Sequence, residues 1–434
     1  MKQHDTAPSA RRRTILRGAM GLSAGAAVGG LEVARAQTTT LPEVQVTKAA
    51  IPDYEFDRSR KGVDCPSCNF GAGTSRLAFT DLSGNCWVGD VDYQTGAFIP
   101  SDGKGVLIDT NCALTTDFGN GPEWVDGTAG SSLVYTKYMV PHVPGAPADA
   151  ANAAIAWARM VNGVWTTSIL PNSIGRASPA GSLDSTDNAP RINYVSSVKG
   201  QMYWRSLTQP GTEHKMSALE PLTDGNARRW IPGTRKLIVQ GKLPGSDARL
   251  NDQVLSYDTD TNVVEVLTND PDGKRGCMMW RAPEFGNDYV FFTMPQFRQS
   301  IQVFRLITGA DGVAHWTLFK TIAMPPALPY VWSPEAFVHN GRSYIFFQVS
   351  SSSKFYDLSV PTHIALSGID PLRNDFRMLT NDSTKPRVRL DPEYFITAKG
   401  PYIYYNRLVP QTASNPAFND GVWRVDTKLG PPLV

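Results

Sequence analysis

The stretch RLDPEYFITAKGPYIYYNR, residues 389–407, joins a Pro-Glu pair to two runs of aromatic and β-branched residues around a Lys-Gly turn. Runs of this composition that flank a glycine turn predict two antiparallel strands. A lone strand pair is at best marginally stable in water. The stretch therefore indicates either a hairpin that packs on other elements or one copy of a larger repeat.

Related stretches recur along the chain, each with a proline cluster followed by a short strand, a turn and an aromatic strand. They begin at Cys65, Gly121, Ala189, Ala282 and Ser333. The six prolines are separated by 56, 68, 93, 51 and 58 residues, and they are Pro66, Pro122, Pro190, Pro283, Pro334 and Pro392. Spacing of this size, with a second apolar hairpin after most copies, is typical of four-stranded propeller blades. No run shows helical periodicity over three turns.

The sequence thus predicts an all-β propeller of four-stranded antiparallel blades, with six blades favoured over five. Residues 61–434 are expected to form one propeller domain. The preceding segment, residues 37–60, is a candidate closing strand, because the last repeat lacks an outer strand that residues 40–50 could supply. The long interval before Pro283 predicts a loop insertion near residues 208–252.

The N-terminus has the order of a twin-arginine export signal: Arg12 and Arg13, a weakly apolar Gly/Ala run, and small residues that predict cleavage after Ala36. No other stretch approaches the length of a membrane span. We therefore expect a periplasmic or secreted protein without membrane association once the signal is removed. Its removal takes away six basic and two acidic residues, so the net charge changes from +2 to −2. Nucleic acid is not expected as a partner.

Five cysteines in an exported chain permit up to two disulfide bonds, and Cys86 with Cys112 is the preferred pair. The Cys65-Pro-Ser-Cys68 spacing lacks a second such pair or a nearby histidine, which favours a structural role over zinc or redox chemistry. No cofactor is predicted. An axial calcium ion is compatible with a propeller, but nothing in the sequence supports it.

The stretches LDPEYFITAKGPYIYYNR and WSPEAFVHNGRSYIFFQVS resemble the blade openings of glycosidases of the arabinanase, levansucrase and invertase superfamily, especially glycoside hydrolase family 43. The resemblance implies a carbohydrate-active propeller with a catalytic Asp just before a blade proline. Only Asp391 carries an acid there, and the superfamily's Glu-Gly-Pro or Glu-Cys-Pro acid motif is missing. The matching positions are Cys65, Gly121, Ala189, Ala282, Ser333 and Asp391.

Glycoside hydrolysis needs two carboxyl groups, one ionised and one protonated, on either side of the scissile bond. Asp391 is the candidate base or nucleophile. Glu335 and Glu284 are the candidate acids, because Trp332 and Trp280 lie close to them in sequence. An indole raises a carboxyl pKa by desolvation and can stack on a sugar ring. The simpler interpretation of Asp391 is a turn residue before proline.

The glutamates that follow the blade prolines predict an acidic ring at the propeller axis, which would include Glu123 and Glu393. A repeated structural role of these glutamates is the alternative. Arg191 is a candidate for binding the carboxylate of an anionic sugar, or it pairs with nearby acids. Asp64 and Asp187 could reach the same pocket if their loops bend inward.

These features predict an exported glycoside hydrolase that cleaves a polysaccharide or oligosaccharide with paired carboxylates at the propeller mouth. A propeller lyase, or another enzyme acting on an anionic sugar, is the first alternative. The second is a propeller that binds carbohydrate or protein without catalysis, since propellers support many functions. The oligomeric state and the identity of the sugar stay open.

Overall fold

Seven four-stranded antiparallel sheets account for the strands in the part of the chain that the structure describes. This computed structural model describes residues 41–47, 53–56, 75–197, 201–223, 228–243, 245, 252–310, 312–381 and 385–433, with only the backbone described at 53–56.

The chain begins with β1 (Glu43–Gln45), which belongs to the last sheet. The next four sheets follow in chain order. The first contains β2 (Asp53–Phe56), β3 (Ser75–Thr80), β4 (Cys86–Val91) and β5 (Val106–Asp109). The second contains β6 (Glu123–Val125), β7 (Ser132–Tyr138), β8 (Ala153–Val161) and β9 (Val164–Ile169). The third contains β10 (Arg176–Gly181), β11 (Arg191–Ser196), β12 (Met202–Ser206) and β13 (His214–Lys215). The fourth contains β14 (Arg228–Trp230), β15 (Lys236–Gly241), β16 (Gln253–Asp258) and β17 (Val263–Val266).

Three sheets complete the fold. The fifth contains β18 (Lys274–Ala282), β19 (Asp288–Pro295), β20 (Ser300–Thr308) and β21 (Ala314–Ala323). The sixth contains β22 (Tyr330–His339), β23 (Arg342–Ser350), β24 (Thr362–Gly368) and β25 (Arg377–Met378). The seventh contains β26 (Val388–Thr397), β27 (Gly400–Val409), β28 (Phe418–Asp426) and, as its outer strand, β1. The described helices are short: α1 (Thr115–Phe118) and two 3₁₀ turns, Ala150–Asn152 and Pro283–Phe285.

The first strand of each sheet lies innermost, and the innermost strands pack against one another around an axis. Contacts run from β2 to β6, β10, β14, β18, β22 and β26, and β26 returns to β2. This closed ring is a β-propeller, so the predicted fold class is confirmed. We call the face where the innermost strands begin the upper face. Because neighbouring strands alternate in direction, the loops between second and third strands also lie on the upper face, and those between innermost and second strands lie on the lower face.

The predicted number of blades is wrong, because the structure has seven. The additional blade is the fourth sheet, and it lies in the long interval before Pro283. The segment 208–252, which predicted a loop insertion, contains β13, β14 and β15. Its innermost strand carries neither the proline nor the acid that marks other blades, so the Pro-acid repeat does not include this blade.

Two of the predicted repeats also begin one strand late. Pro190 comes directly before the second strand β11, and Pro283 follows the innermost strand β18. Every antiparallel neighbour pair in a blade has the same pattern of strand, turn and strand, so a hairpin of the second and third strands resembles one of the first and second. The first predicted repeat, which begins at Cys65, has its proline outside the described residues.

A β-bulge on the innermost strand marks the blade opening more reliably than a proline alone. Ser178, Ser333 and Asp391 each precede a proline and adopt left-handed backbone angles, with φ of 56°, 43° and 51°. The pairing register shifts at each of these places. In β18 the same shift occurs at Gly276, with φ of 60°. A bulge re-aims the side chains that follow it, so it controls which residues line the axis.

The two ends of the described chain meet in the seventh sheet. β1 pairs with β28 in antiparallel register, with Val44 opposite Arg424. The Glu43 carboxylate is bound by the guanidinium of Arg389, which is fully buried, and it accepts a hydrogen bond of 2.8 Å from the Tyr405 hydroxyl. This ion pair fixes the closing strand against β26 and β27, so that β1 completes the seventh sheet as its fourth strand.

The preferred cysteine pair lies in the core of the first two sheets. Cys86 and Cys112 are both buried free thiols in the structure, as is Cys277. Hydrogen bonding to Cys112, together with burial, raises the pKa of the Cys86 thiol well above its usual range. The thiols are therefore neighbours without a disulfide bond between them. Among the described helices, none is long and apolar enough to cross a membrane.

Candidate functional site

An ion pair crosses the axial channel halfway along the innermost strands. Arg229 of β14 donates from Nη2 to Oε1 of Glu335 of β22, at 2.5 Å. These strands belong to the fourth and sixth sheets, so the pair bridges blades that are not adjacent. The side chain of Arg229 is 47% exposed, whereas that of Glu335 is 7% exposed. The guanidinium therefore stands in a channel open to water, next to a buried carboxylate.

Two further glutamates act on this arginine. The charges of Glu335, Glu123 and Glu393 raise the pKa of Arg229 above its usual range, in opposition to burial. Glu335 and Glu393 hold equivalent places, since each follows a proline bulge in its strand. Met278 holds that place in β18, and its sulfur accepts from the Ala336 backbone N–H at 3.4 Å. The channel is thus acidic at this level, with Arg229 as the counter-charge.

Arg228, the neighbour of Arg229, does not share this environment. Its Nε donates to Oδ1 of Asn193 at 2.5 Å, and its Nη2 donates to the Ser178 carbonyl. Burial lowers the pKa of Arg228 to about 10, although the charge of Glu123 acts in the other direction. Arg228 therefore ties β14 to the third sheet. The sequence did not predict either arginine as a site residue, because β14 lies in the segment interpreted as an insertion. The pattern that could have revealed this strand is Trp230 followed by a glycine turn and the apolar run KLIVQG.

The three candidate catalytic carboxyl groups do not form one site. Asp391 is half-buried in the β26 bulge. Glu335 pairs with Arg229 in the channel. Glu284 lies on the lower face, where it accepts from the backbone N–H and the hydroxyl of Ser343, at 2.8 and 2.9 Å. Six strand residues separate the bulge position from the end of β18, about 20 Å. Asp391 and Glu284 are therefore too far apart to act on one glycosidic bond.

Arg191 and Asp187 form ion pairs between neighbouring sheets. Arg191 opens the second strand β11, pairs with Asp260 at 2.5 Å, and lies over the Trp204 ring at 4.2 Å. Asp187, in the lower-face loop before it, pairs with Arg235 at 3.3 Å. These are contacts between the third and fourth sheets, so Arg191 has the ion-pair role that was the alternative to ligand binding. Asp64 lies outside the described residues.

The two candidate tryptophans differ in their surroundings. Trp280 is buried within the fifth sheet, with its ring centroid 6.0 Å from that of Phe292. Trp332 lies near the start of β22 on the upper face, 5.3 Å from the ring of Phe355. Trp332 is itself buried, at 4% exposed against 5% for Trp280, but the neighbouring Phe355 is 55% exposed at the upper face.

A second arginine, Arg298, lies against Trp332 at the upper face. It belongs to the loop between β19 and β20, and its guanidinium carbon is 4.7 Å from the Trp332 ring centroid. The Val331 N–H donates to its carbonyl at 2.8 Å, which fixes this loop over the start of β22. Burial, together with the charge of Arg275, lowers the pKa of Arg298 to about 10. Among the described residues, no Asp or Glu forms an ion pair with Arg298.

Metal ligands are not clustered in the described part of the chain: no three His, Cys, Asp or Glu side chains there are placed to hold an ion. The channel glutamates surround a guanidinium instead. At the upper face, the structure therefore offers a half-buried cation, Arg298, beside aromatic rings. The channel below is acidic, and Arg229 already supplies its counter-charge.

No protein-family model matches the chain. No curated protein matches it either. Solved structures of similar fold include an oligogalacturonate lyase from Vibrio parahaemolyticus, at 9% identity and a TM-score of 0.46, covering 91% of this chain and 99% of that one. A puromycin hydrolase is 11% identical with a TM-score of 0.44, and the chain spans half of its length, with 83% of this chain covered. A putative 6-phosphogluconolactonase from Bacteroides uniformis is 12% identical with a TM-score of 0.39, over 86% of this chain and 95% of that one.

The resemblance to family 43 glycosidases is wrong. The structure has seven blades, and no family model supports a glycosidase assignment. Two positions matched to the superfamily, Ala189 and Ala282, do not precede a bulge proline on an innermost strand. At these identities and TM-scores the comparisons describe the fold alone. The function has to be argued from the side chains.

Proposed function

We propose that this chain binds a carboxylated sugar at the upper face of the propeller, with Arg298 as the group that receives the carboxylate. The observation that carries the proposal is the position of Arg298 over the Trp332 ring at the upper face, with no ion-paired Asp or Glu among the described residues. Arg298 is half-buried, it lies beside a second cation, and its pKa is lowered rather than raised. A cation taken partly out of water without a counter-ion is costly to the folded protein. A bound anion would remove that cost.

The geometry around Arg298 suits a carboxylate on a ring-shaped ligand. Stacking on Trp332 holds the guanidinium plane in one orientation, so its donor edge is preorganised for a planar acceptor with two oxygens. Phe355 and Phe297 expose 55% and 74% of their surface nearby. Exposed aromatic rings offer flat apolar contacts, which match the C–H face of a pyranose. A sugar acid combines the two features.

Glu335 and Glu393 are the channel carboxylates on the strands that run down from this face, and they are candidate proton acceptors if the bound sugar is turned over. An enzyme acting on an anionic sugar and a binding propeller are both compatible with such a site. The predicted twin-arginine signal adds export to the proposal, so the ligand would be met outside the cytoplasm.

The test compares glucuronate and galacturonate with glucose and galactose by isothermal titration calorimetry. We expect the acids to bind and the neutral sugars not to bind, and we expect Arg298→Gln to weaken binding at least tenfold. The matched control is Glu284→Gln on the lower face, which should bind as wild type does. Equal binding of acid and neutral sugar, or no effect of Arg298→Gln, would refute the proposal.

Turnover is followed in the same samples and with polymers of the same uronates. New reducing ends without ultraviolet absorbance would indicate hydrolysis, and absorbance of an unsaturated product would indicate elimination. Either signal should disappear in Arg298→Gln. Retention of the acid without a product would assign a binding protein. A sugar phosphate included in the panel tests whether Arg298 prefers a carboxylate.

A further inference from the structure

An open depression of about 520 Å³ lies on the upper face between the loops of the sixth and seventh sheets. One wall is the β23–β24 loop and the other is the β27–β28 loop. Phe355 and Tyr356 expose 55% and 46% of their surface on the first wall. The second wall is formed by Gln411, Thr412 and Ala413. The depression therefore combines aromatic faces with amide and hydroxyl groups, and Lys354 and Asp357 add one charge of each sign.

The walls are held in place before any ligand arrives. The Asp357 carboxylate accepts hydrogen bonds from the hydroxyls of Ser359 and Ser352, at 2.6 and 2.7 Å, and these bonds lower the pKa of Asp357. The Gln411 N–H donates to the Leu358 carbonyl at 2.8 Å, which connects the two loops. A site with fixed walls loses less entropy on binding than a mobile one.

Tyr356 has a backbone conformation that bulky residues rarely adopt. Its φ is 53°, in the left-handed region. Glycine or asparagine would fit this position with less strain. An outlier of this kind supports a hypothesis of function when the strained residue points to a site. Here the strained residue presents an exposed phenol ring to the depression.

The depression is continuous with the proposed carboxylate site. Phe355 is 4.1 Å from the Tyr356 ring on one side and 5.3 Å from the Trp332 ring on the other, measured between centroids. Trp332 in turn stacks under Arg298. Phe355 is thus a shared wall, and a row of aromatic rings runs from Arg298 to the depression.

We propose that the depression is a second sugar subsite, so that the ligand is an acidic oligosaccharide of at least two residues. One residue places its carboxylate on Arg298, and the next stacks on Phe355 and Tyr356 while its hydroxyls reach Gln411 and Thr412. The inference rests on the proposed function. A volume of this size suits a small ligand.

The test measures affinity against length with mono-, di- and trigalacturonate, by calorimetry on the purified chain. We expect the dimer to bind at least tenfold more tightly than the monomer. Tyr356→Gly, which removes the ring and tolerates the backbone angle, should reduce this advantage to about twofold and leave the affinity for the monomer unchanged. Tyr356→Asn provides a second variant suited to the same angle, and thermal melting of both checks that they fold.

The outcomes separate the two proposals. Monomer binding that requires Arg298, without any gain for the dimer, would overturn the subsite and leave the carboxylate site intact. An equal loss for monomer and dimer in both Tyr356 variants would also overturn the subsite, because it would show one shared site. If no uronate of any length binds, both proposals are wrong. A length advantage that disappears in both variants supports the subsite.

Discussion

Arg229 in the channel and Arg298 at the upper face are the same residue type in opposite electrostatic states. Three glutamates raise the pKa of Arg229, whereas burial and a neighbouring arginine lower the pKa of Arg298 to about 10. Arg229 is also the more exposed of the two. The supply of counter-charge and of hydrogen-bond acceptors, rather than burial alone, therefore distinguishes an arginine that stabilises this propeller from one that is available to a ligand. Arg228 has a similarly lowered pKa, but it donates to Asn193 and to the Ser178 carbonyl.

Arg389 is a fully buried arginine that pairs with a carboxylate, and its replacement should have the largest effect on stability. Replacement by Met would leave Glu43, whose side chain is 8% exposed, with Arg407 at 3.5 Å as its remaining charged partner. We expect the free energy of unfolding to fall by about 3 kcal/mol, because a buried carboxylate would keep only the longer of its two ion pairs. Denaturant unfolding at neutral pH measures the loss.

Arg389→Lys is the matched control for that variant. It keeps the positive charge but loses the planar fork, so an intermediate loss is expected. A loss below about 1 kcal/mol for Arg389→Met would mean that the pair behaves as a surface ion pair, and that the closing strand does not depend on it.

Arg229→Met should have the second largest effect, about 2 kcal/mol at pH 7, since the channel water screens this pair in part. In the wild type the raised pKa of Arg229 gives stability that is present at every pH below the ordinary arginine value and is lost only above it. In the variant, Glu123, Glu335 and Glu393 face one another without a cation. The like charges in the channel then repel one another, and neutralisation by acid relieves that repulsion.

The sign of the pH dependence follows from that repulsion. The deficit of Arg229→Met relative to wild type should shrink as the pH falls from 7 through about 4.5, where the glutamates take up protons. Unfolding curves at several pH values check it. The double variant Arg229→Met/Glu335→Gln should recover part of the loss at pH 7, and a deficit that grows towards low pH would contradict the acidic channel.

The sequence predicted the fold class because hairpins with aromatic strands recur, and the hairpins β22–β23 and β26–β27 lie where the Pro-Glu motifs indicated. The number of blades was not predictable in this way. Pro190 and Pro283 mark loops beside second strands, and the fourth sheet has no such proline. Local patterns record that a hairpin exists, but its place within a blade depends on tertiary contacts.

The site was predictable only in part, for a related reason. Three of the four glutamates expected at the axis, Glu123, Glu335 and Glu393, do act on one channel arginine. Glu284 lies on the other face because its proline ends an innermost strand instead of interrupting one. Arg298 carries no motif at all. Its significance comes from Trp332 and from the lack of an ion-paired acid in the described part of the chain, and both depend on residues that are distant in sequence.

Arg298→Met should change stability in the opposite direction from the two previous variants. Because its pKa is lowered, the folded state binds fewer protons than the unfolded state between about pH 10 and 12.5, so the charge opposes folding at every pH below that range. Removing it should stabilise the ligand-free protein by up to about 1 kcal/mol, since solvent screening and retained packing on Trp332 limit the gain. Destabilisation by more than that would indicate an anionic partner in the folded chain.

The smallest effect is expected for Arg275→Met, which tests the cause assigned to Arg298. Arg275 repels Arg298, but it also pairs with Asp252 at 3.2 Å. The loss of the ion pair and the relief of the repulsion should nearly cancel, so the free energy of unfolding should stay within about 0.5 kcal/mol of the wild-type value. The double variant Arg275→Met/Arg298→Met isolates the coupling between the two cations. A repulsive coupling supports an arginine pair that awaits an anion, whereas a coupling of zero would assign the lowered pKa of Arg298 to burial alone.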